Sequence, residues 1–215
     1  MDKALKLKKK YKAARDKLFN GLIINNDGFI FNNHHTRLVD DIVSDIVKII
    51  IQEYSIEGFA LIAVGGYGRN DLSPKSDVDL LFLYKKSNKN IKNFITTLNN
   101  NLWDVGLEVG ISFLTLKQVI IDSKKDIKTV TKFAESRHLV GDEDYYGEFV
   151  RSIKILIGRL NPLKLSEKKL LELVERHDYY LGIKSNLEPQ IKEGIGGLRD
   201  IHTIIWVSIF MFNVL

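Results

Sequence analysis

Residues 64–81 read VGGYGRNDLSPKSDVDLL, and this stretch decides the fold because it joins two apolar runs through a polar loop. The first run, 59–64, ends at a pair of glycines, and the second, 77–84, begins with the sequence Asp-Val-Asp. Short apolar runs bounded by Gly, Pro, Ser and Asp are typical of buried strands. We therefore predict two buried strands that are joined by this loop.

The glycine pair, Gly65 and Gly66, ends the first predicted strand. Glycine lets the backbone turn tightly and approach a ligand closely, and the N–H groups of such a turn can hold an anion. A glycine pair on its own more often marks a plain turn. It therefore needs a second feature before it indicates a phosphate site.

The second feature is a pair of carboxylates, Asp77 and Asp79, which stand two positions apart at the start of the second strand. Side chains at that spacing project from the same face of a strand. Two adjacent negative charges beside an apolar run are costly unless they are neutralised, and Mg²⁺ prefers such oxygen ligands. For an isolated Asp-x-Asp, a solvated strand end remains the simpler interpretation.

The two features lie in one segment, with ten residues between Gly66 and Asp77. The loop between them carries Arg69 and Ser76, whose side chains are of the types that bind a triphosphate. The combination favours a nucleotide–metal site over two unrelated features.

This spacing resembles the signature of the nucleotidyltransferase superfamily that includes DNA polymerase β. The resemblance implies an α/β fold with a small mixed sheet and flanking helices. It also implies glycines that hold phosphates and an acidic pair that binds two metals, often with a third carboxylate from a neighbouring strand. Glu108, which opens a third predicted strand over 108–114, is the candidate for that third carboxylate. A solvated charge at a strand end explains Glu108 equally well.

Within the superfamily, the sequence resembles the bacterial protein-PII uridylyltransferase/uridylyl-removing enzymes in four blocks. These blocks are 63–81, 102–110 (LWDVGLEVG), 135–142 (ESRHLVGD) and 186–203, which includes Asn186–Pro189 and the run GGLRDIHT. The resemblance implies transfer of UMP from UTP to a tyrosine of the nitrogen-regulatory PII protein, with release of pyrophosphate. In that reaction Asp77, Asp79 and Glu108 would be catalytic, Asp77 and Asp79 would hold Mg²⁺ in a two-metal site, and Gly65, Gly66, Arg69 and Ser76 would bind the nucleotide.

Two alternatives stay open. The first is another nucleotidyltransferase of the superfamily, which moves AMP or acts on RNA or a small molecule. The second is a truncated, non-catalytic fragment that binds a nucleotide or a partner protein.

The periodicity of apolar residues divides the chain into three parts. We predict an N-terminal helical segment over 1–55, with Thr36 as the cap of its second helix, a nucleotidyltransferase core over 56–114 and a helical region over 115–215. The predicted helices of the last part span 115–123, 126–139, 143–160 and 166–181, with a final helix from Leu198. The chain ends inside that last helix without a capping residue, so we expect the protein to be truncated at its C-terminus.

Composition excludes several other classes of protein. The 215 residues include no cysteine, which excludes disulfides, Cys-ligated zinc, iron–sulfur clusters and a cysteine nucleophile. Of the net charge of +5, residues 1–17 carry +6, so the basic excess is local. We interpret this segment as the solvated face of a helix, and we expect a cytoplasmic protein with no nucleic-acid or membrane partner.

The remaining polar and aromatic candidates are interpreted as structural. The histidines lack a metal-binding spacing, and the adjacent pair His177-Asp178 lacks the further ligands of a hydrolase site. Arg199 and Asp200 are expected to form an ion pair that fixes the last helix rather than to reach the nucleotide. Trp103 and Trp206 fall on apolar helical faces, which predicts that both lie in the core.

Overall fold

The computed structural model describes residues 2–25, 27–183 and 190–213. Within these ranges the strands are β1 (Phe59–Val64), β2 (Val78–Tyr84), β3 (Val109–Leu114) and β4 (Ser136–Gly141). The helices are α1 (Asp2–Asn25), α2 (Gly28–Tyr54), α3 (Gly65–Gly68), α4 (Lys89–Val105), α5 (Leu116–Lys125), α6 (Ile127–Ala134), α7 (Glu143–Arg159), α8 (Pro162–Ile183) and α9 (Leu198–Phe212).

The four described strands form one mixed sheet in the order β3-β2-β1-β4. Strand β1 runs antiparallel to β2 and β4, whereas β2 runs parallel to β3. The parallel pair is joined by α4, since parallel neighbours need a crossover connection. The predicted α/β architecture, a small mixed sheet with flanking helices, is confirmed.

Side-chain alternation along β1 supplies the cores on both faces of the sheet. Leu61 and Ala63 belong to a cluster with the apolar residues of α2 and α4. Ile62 and Val64 belong to a second cluster with residues of α6, α7 and α9. All six residues of β1 are buried. The end of β1, from which the glycine turn departs, is therefore fixed by packing on both faces.

Strand β4 lies in a stretch for which the sequence predicted helix. The helix predicted over 126–139 ends at Ala134, and β4 follows from Ser136. Val130, Phe133 and Val140 lie three and seven positions apart, which fits helical spacing, so the local pattern did not mark the change. The strand is specified by its pairing with β1 from Ala60 to Val64. Tertiary pairing overrides the local preference here, and the expectation of helix alone after residue 115 is wrong for this strand.

The start of α2 also differs from the prediction. It begins at Gly28, because Asp27 is the N-cap and its carboxylate accepts a hydrogen bond from the N–H of Ile30 at 3.0 Å. Thr36 lies inside the helix, where its hydroxyl accepts a hydrogen bond from the N–H of Leu72. Its role is to hold a loop rather than to cap a helix.

Two further expectations about helices are corrected. Trp103 is 55% exposed, because the buried stripe of α4 runs through its neighbour Leu102. Helix α9 ends at Phe212, since Asn213 adopts the left-handed conformation that asparagine tolerates at a C-cap. Trp206, 6% exposed, lies in the core as predicted.

The basic N-terminal segment forms the predicted helix, α1. Its apolar face packs on α2 and α4, with Tyr11 only 5% exposed. Lys10 pairs with Asp45 of α2 at 3.1 Å, and the neighbouring lysines are exposed. Within the described ranges, no helix combines the length and the apolar character that are needed to cross a bilayer.

The close packing of Gly68 gives a prediction for stability. A Cβ atom at Gly68 would lie 2.2 Å from the carbonyl oxygen of Glu135, whereas one at Gly21 in α1 would meet nothing within 4 Å. We expect Gly68→Ala to lower the free energy of unfolding by about 1–3 kcal/mol or more. Gly21→Ala should leave it unchanged or raise it by up to about 1 kcal/mol, because alanine favours the helix. Urea unfolding of both variants tests this, and equal effects would contradict the packing argument.

Candidate active site

A cavity of about 1120 Å³ opens beside the turn that follows β1. Six of the seven predicted site residues line it: Gly65, Gly66, Arg69, Ser76, Asp77 and Asp79. Its other walls come from α6, α8, α9 and the segment before α9, through residues that include Lys128, Lys132, Glu135, Lys169, Arg176, Lys192, Arg199, His202 and Trp206. The chain thus folds the glycine pair and the carboxylate pair onto one cavity.

The glycine turn is the short helix α3. Gly65 has a φ of +60°, a conformation that side chains rarely adopt, and this residue turns the chain at the end of β1. The N–H groups of Arg69 and Asp71 donate to the carbonyl oxygens of Gly65 and Gly66 at 3.1 and 3.0 Å. These bonds close the turn and set the direction in which Arg69 leaves it.

Tyr67 anchors the turn to α2 and β4. Its hydroxyl donates to Asp40 of α2 at 2.6 Å, and Arg137 of β4 donates to both oxygens of Asp40 at 2.8 and 3.0 Å. Burial and the negative charge of Asp40 raise the pKa of Tyr67 well above its ordinary value. Tyr67 therefore stays a neutral donor, and the network ties α2, α3 and β4 together.

The polar loop before β2 is held by α2. Asn32 donates to the carboxylate of Asp71 at 2.7 Å, and Nδ1 of His35 lies 3.1 Å from the carbonyl oxygen of Leu72. Leu72 itself is fully buried. The loop that carries Ser76 and Asp77 is thus tethered where it leaves the glycine turn.

The two predicted metal ligands differ in exposure. Asp77 is exposed in the loop just before β2, and Asp79 lies on the strand with its side chain 39% exposed. Gly110 of β3 pairs with Asp79 in the sheet, and a Cβ atom there would lie 3.2 Å from Oδ1 of Asp79. Gly110 therefore leaves room for the Asp79 carboxylate on this face.

Lys132 of α6 occupies a cation position at the carboxylate pair, with its ammonium 2.9 Å from Oδ1 of Asp79. The sequence interpretation missed this residue. Mg²⁺ is commonly bound by one or two carboxylates together with substrate phosphates, and two carboxylates beside a phosphate-binding turn fit that donor set. The ammonium shows where this face of the cavity stabilises a positive charge, beside Oδ1 of Asp79.

Glu108 is not brought into this cavity. Its side chain is exposed, although its backbone carbonyl accepts a hydrogen bond from Val78 at 2.8 Å and so lies beside the start of β2. Among the residues that the structure describes, no three His, Asp or Glu side chains are grouped closely enough to hold a metal ion. Glu108 as a third carboxylate stays a prediction.

Arg69 is held from two sides. Its Nη1 donates to Oε2 of Glu135 at 2.5 Å, and its Nη2 lies 3.1 Å from Nε2 of His202 in α9. The other Glu135 oxygen, Oε1, accepts a hydrogen bond from the indole N–H of Trp206 at 2.7 Å. Burial raises the pKa of Glu135, while Arg69 and Trp206 act to lower it.

His202 is the neutral partner in this cluster. Burial first, and then the positive charges of Arg69 and Arg199, lower the pKa of His202 to about 4. A neutral imidazole can accept the Arg69 hydrogen bond through Nε2. The interpretation of His202 as a structural residue missed this contact with a predicted nucleotide ligand.

Polar residues of α8, of α9 and of the segment before α9 form ion pairs with one another. Asp200 pairs with Arg176 and His177 of α8, and Arg199 pairs with Glu193 at 3.1 Å. The expected role of Asp200, to fix the last helix, agrees with these contacts, but its partners are on α8. The predicted block Asn186–Pro189 lies outside the described residues.

Some of the missed residues carried a signal in the sequence. Glu135 and His202 lie inside two of the blocks that resemble the family, and Gly110 ends a third. Lys128 and Lys132 are four positions apart, so they share a helical face, but that spacing is common on solvated helices. Only the fold shows that this face turns toward Asp79.

Comparison with protein-family models gives two matches. Residues 43–142 match the model described as a nucleotidyltransferase domain, and residues 164–215 match the model described as GlnD PII-uridylyltransferase. The first match spans all four strands and the cavity residues of the glycine turn and β2. The second spans α8 and α9, which supply the opposite wall.

Curated relatives agree with these matches. The chain is 35% identical over 200 residues to a bifunctional uridylyltransferase/uridylyl-removing enzyme of Chromobacterium violaceum, which covers 90% of this chain and 22% of that protein. The enzyme of the same name from Nitrosospira multiformis is 33% identical over 213 residues, covering 92% of this chain and 23% of its own length. The chain thus spans about a fifth of the length of these relatives.

The lowered pKa of His202 predicts how stability depends on pH. The folded chain keeps His202 neutral down to about pH 4, whereas an unfolded chain protonates it near 6.5. Between these values the unfolded state binds one more proton than the folded state. The contribution of neutral His202 to the free energy of unfolding is therefore fully present above about pH 6.5 and is lost as the pH falls toward 4. His202→Gln keeps an acceptor for Arg69 but cannot titrate. We expect urea unfolding to show a steeper loss of stability from pH 7 to 5 in the wild type than in the variant; parallel curves would contradict the assignment.

Proposed function

The chain belongs to the family of the bifunctional uridylyltransferase/uridylyl-removing enzymes, and on this premise we propose that it transfers UMP from UTP to a tyrosine of the PII signalling protein, with release of pyrophosphate. The observation that carries the proposal is the common cavity of the glycine turn, Arg69 and the Asp77–Asp79 pair. A nucleoside triphosphate needs a group that binds its phosphates, here the glycine turn with Arg69, and a group that binds the accompanying metal, here the carboxylate pair. The volume of the cavity, about 1120 Å³, lies slightly above the usual range of small-molecule sites, which allows a nucleotide and an acceptor side chain together.

The residues of the chain have separate tasks in this reaction. Backbone N–H groups at Gly65 and Gly66 hold phosphate oxygens, and Arg69 and Ser76 hold the β- and γ-phosphates. Asp77 and Asp79 would hold Mg²⁺, and Glu108 is the proposed third carboxylate. When bound, Mg²⁺ supplies a lower pKa for the attacking hydroxyl and charge neutralisation for the leaving pyrophosphate.

The chemistry is an in-line displacement at the α-phosphorus of UTP. A bond forms between the tyrosine oxygen and this phosphorus while the bond to the pyrophosphate oxygen breaks. The chain contributes orientation and electrostatic stabilisation, and none of its own side chains needs to form a covalent intermediate. The close packing of the glycine turn serves this purpose, because small displacements of the reacting groups lower the rate strongly.

The first test removes one carboxylate at a time. We expect Asp77→Asn and Asp79→Asn to lower UMP transfer to PII by about 100-fold or more, because each removes a metal ligand and a charge at the reacting centre. Both variants should remain folded, since the half-buried Asp79–Lys132 pair is still reached by solvent and contributes only about 1 kcal/mol. Incorporation of labelled UMP measures the rate, and thermal unfolding checks the fold. Asp41→Asn, an exposed carboxylate on α2, is the matched control and should transfer normally. Near wild-type transfer by Asp77→Asn or Asp79→Asn would exclude the carboxylate mechanism.

The second test concerns the nucleotide. With Mg²⁺ present, UTP should raise the melting temperature of the chain more than ATP or CTP at equal concentration, since a ligand stabilises the state that it binds. A larger shift with ATP would favour a transferase that moves AMP instead. Stabilisation by UTP without transfer to PII would favour another acceptor or a nucleotide-binding fragment.

A further inference from the structure

Glu135 connects the nucleotide loop to the last helix through its two carboxylate oxygens. The residue lies between α6 and β4, and its side chain is only 6% exposed. One oxygen accepts from Arg69 at 2.5 Å, and the other accepts from the indole N–H of Trp206 at 2.7 Å. The carboxylate therefore joins the glycine turn to α9 through one hydrogen bond to each.

The indole of Trp206 is itself fixed in place. The ammonium of Lys169 lies 4.5 Å from the ring centroid, and the guanidinium of Arg199 lies 5.5 Å from it. Lys169 is 2% exposed and pairs with Glu172 at 2.9 Å. Contacts between cations and an aromatic face are stronger when they are shielded from water. Trp206 is thus a rigid donor for Glu135.

The two contacts of Arg69 set the plane of its guanidinium. Nη1 is bound to Glu135 and Nη2 to His202, so rotation about the end of the side chain is restricted. A Cβ atom at Gly66 would lie 3.7 Å from Nη2, which places the guanidinium directly beside the glycine turn. A guanidinium has five N–H donors, and the contacts of Arg69 with the described part of the chain use two of them. With respect to those residues, the other donors can bind phosphate oxygens in the cavity.

A buried carboxylate is costly unless it is paired. The charge of Arg69 offsets this cost, and the pair keeps the guanidinium in position before any ligand arrives. Charge that is oriented in advance is more effective than charge that must reorganise during binding or reaction.

We propose that Glu135 is a positioning residue for the nucleotide site. Glu135 orients the Arg69 guanidinium toward the triphosphate, and Trp206 of α9 in turn holds Glu135 in place. This inference rests on the proposed function only in that Arg69 binds the phosphates of UTP. Glu135 acts through Arg69 and does not itself touch the nucleotide.

A double-mutant cycle on MgUTP binding tests this role, with the dissociation constant measured by titration calorimetry on the full chain. Glu135→Gln keeps the size of the side chain but removes its charge and leaves one oxygen for the two donors Arg69 and Trp206, and we expect it to raise the Kd of MgUTP by about 10-fold or more. In an Arg69→Gln background the same change should have almost no effect, because the group that Glu135 positions is absent. The proposal would be overturned if Glu135→Gln raised the Kd of MgUTP by the same factor in both backgrounds, or if it left the Kd unchanged in the wild-type background.

Two further variants separate positioning from general stability. Trp206→Phe keeps a ring but removes the N–H donor, and its effect on Kd should also vanish in the Arg69→Gln background. Lys85→Gln breaks the exposed pair with Asp142 and lies away from the cavity, so it should leave Kd unchanged in both backgrounds. An effect of Trp206→Phe that persists without Arg69 would show a structural role and overturn the link to α9.

The outcome is distinguishable from failure of the proposed function. Coupling between Glu135 and Arg69 in the Kd of MgUTP, in a chain that transfers no UMP to PII, would support the positioning role while rejecting the acceptor. If Glu135→Gln and Arg69→Gln had additive effects on the binding free energy of MgUTP in a chain that does transfer UMP, only the positioning role would be rejected.

Discussion

The carbonyl oxygen of Glu135 lies against Gly68 at a distance that no side chain at that position could allow. Through this close approach the glycine turn packs against the backbone just before β4. Glu135 and Arg137, the residues on either side of Ser136, also hold the turn through side-chain contacts. Glu135 accepts a hydrogen bond from Arg69, and Arg137 binds Asp40, which also accepts a hydrogen bond from Tyr67. The backbone of the glycine turn is therefore fixed by neighbours that are remote in sequence, and Arg69 leaves the turn from this fixed position.

Two charges of the cavity, on Asp79 and Arg69, are already paired with protein side chains. Lys132 neutralises Asp79, and Glu135 neutralises Arg69, so each half of the proposed nucleotide–metal site contains one such pair. Binding of a metal and a triphosphate then becomes an exchange of partners. A divalent cation can replace the ammonium at Asp79, and phosphate oxygens can use the free donors of Arg69. Such an exchange avoids exposing an unpaired buried charge, which would be costly.

The local parts of the site could be predicted from the sequence because each depends on short-range chemistry. Gly65 and Gly66 terminate a strand, and Asp77 and Asp79 lie at the start of the next one, Asp77 in the loop just before it and Asp79 on the strand. The partners Lys132, Glu135 and His202 could not be assigned in the same way. They lie on α6, on the link between α6 and β4, and on α9, and their positions depend on tertiary packing. Strand β4 shows the same limit, because its pairing with β1 overrides a helical pattern. Glu108 is the converse case: its place beside β2 follows from the strand pairing, but its exposed side chain is not drawn into the cavity.

The central claim is that the glycine turn and the carboxylate pair form one nucleotide–metal site. The most direct measurement is the crystal structure of the chain with Mn²⁺ and a non-hydrolysable UTP analogue, with the metal located by its anomalous scattering. We predict a metal peak between Asp77 and Asp79, the triphosphate over Gly65 and Gly66, and the ammonium of Lys132 displaced from Asp79. A metal or triphosphate bound elsewhere, or Lys132 still paired with Asp79 in the complex, would contradict it.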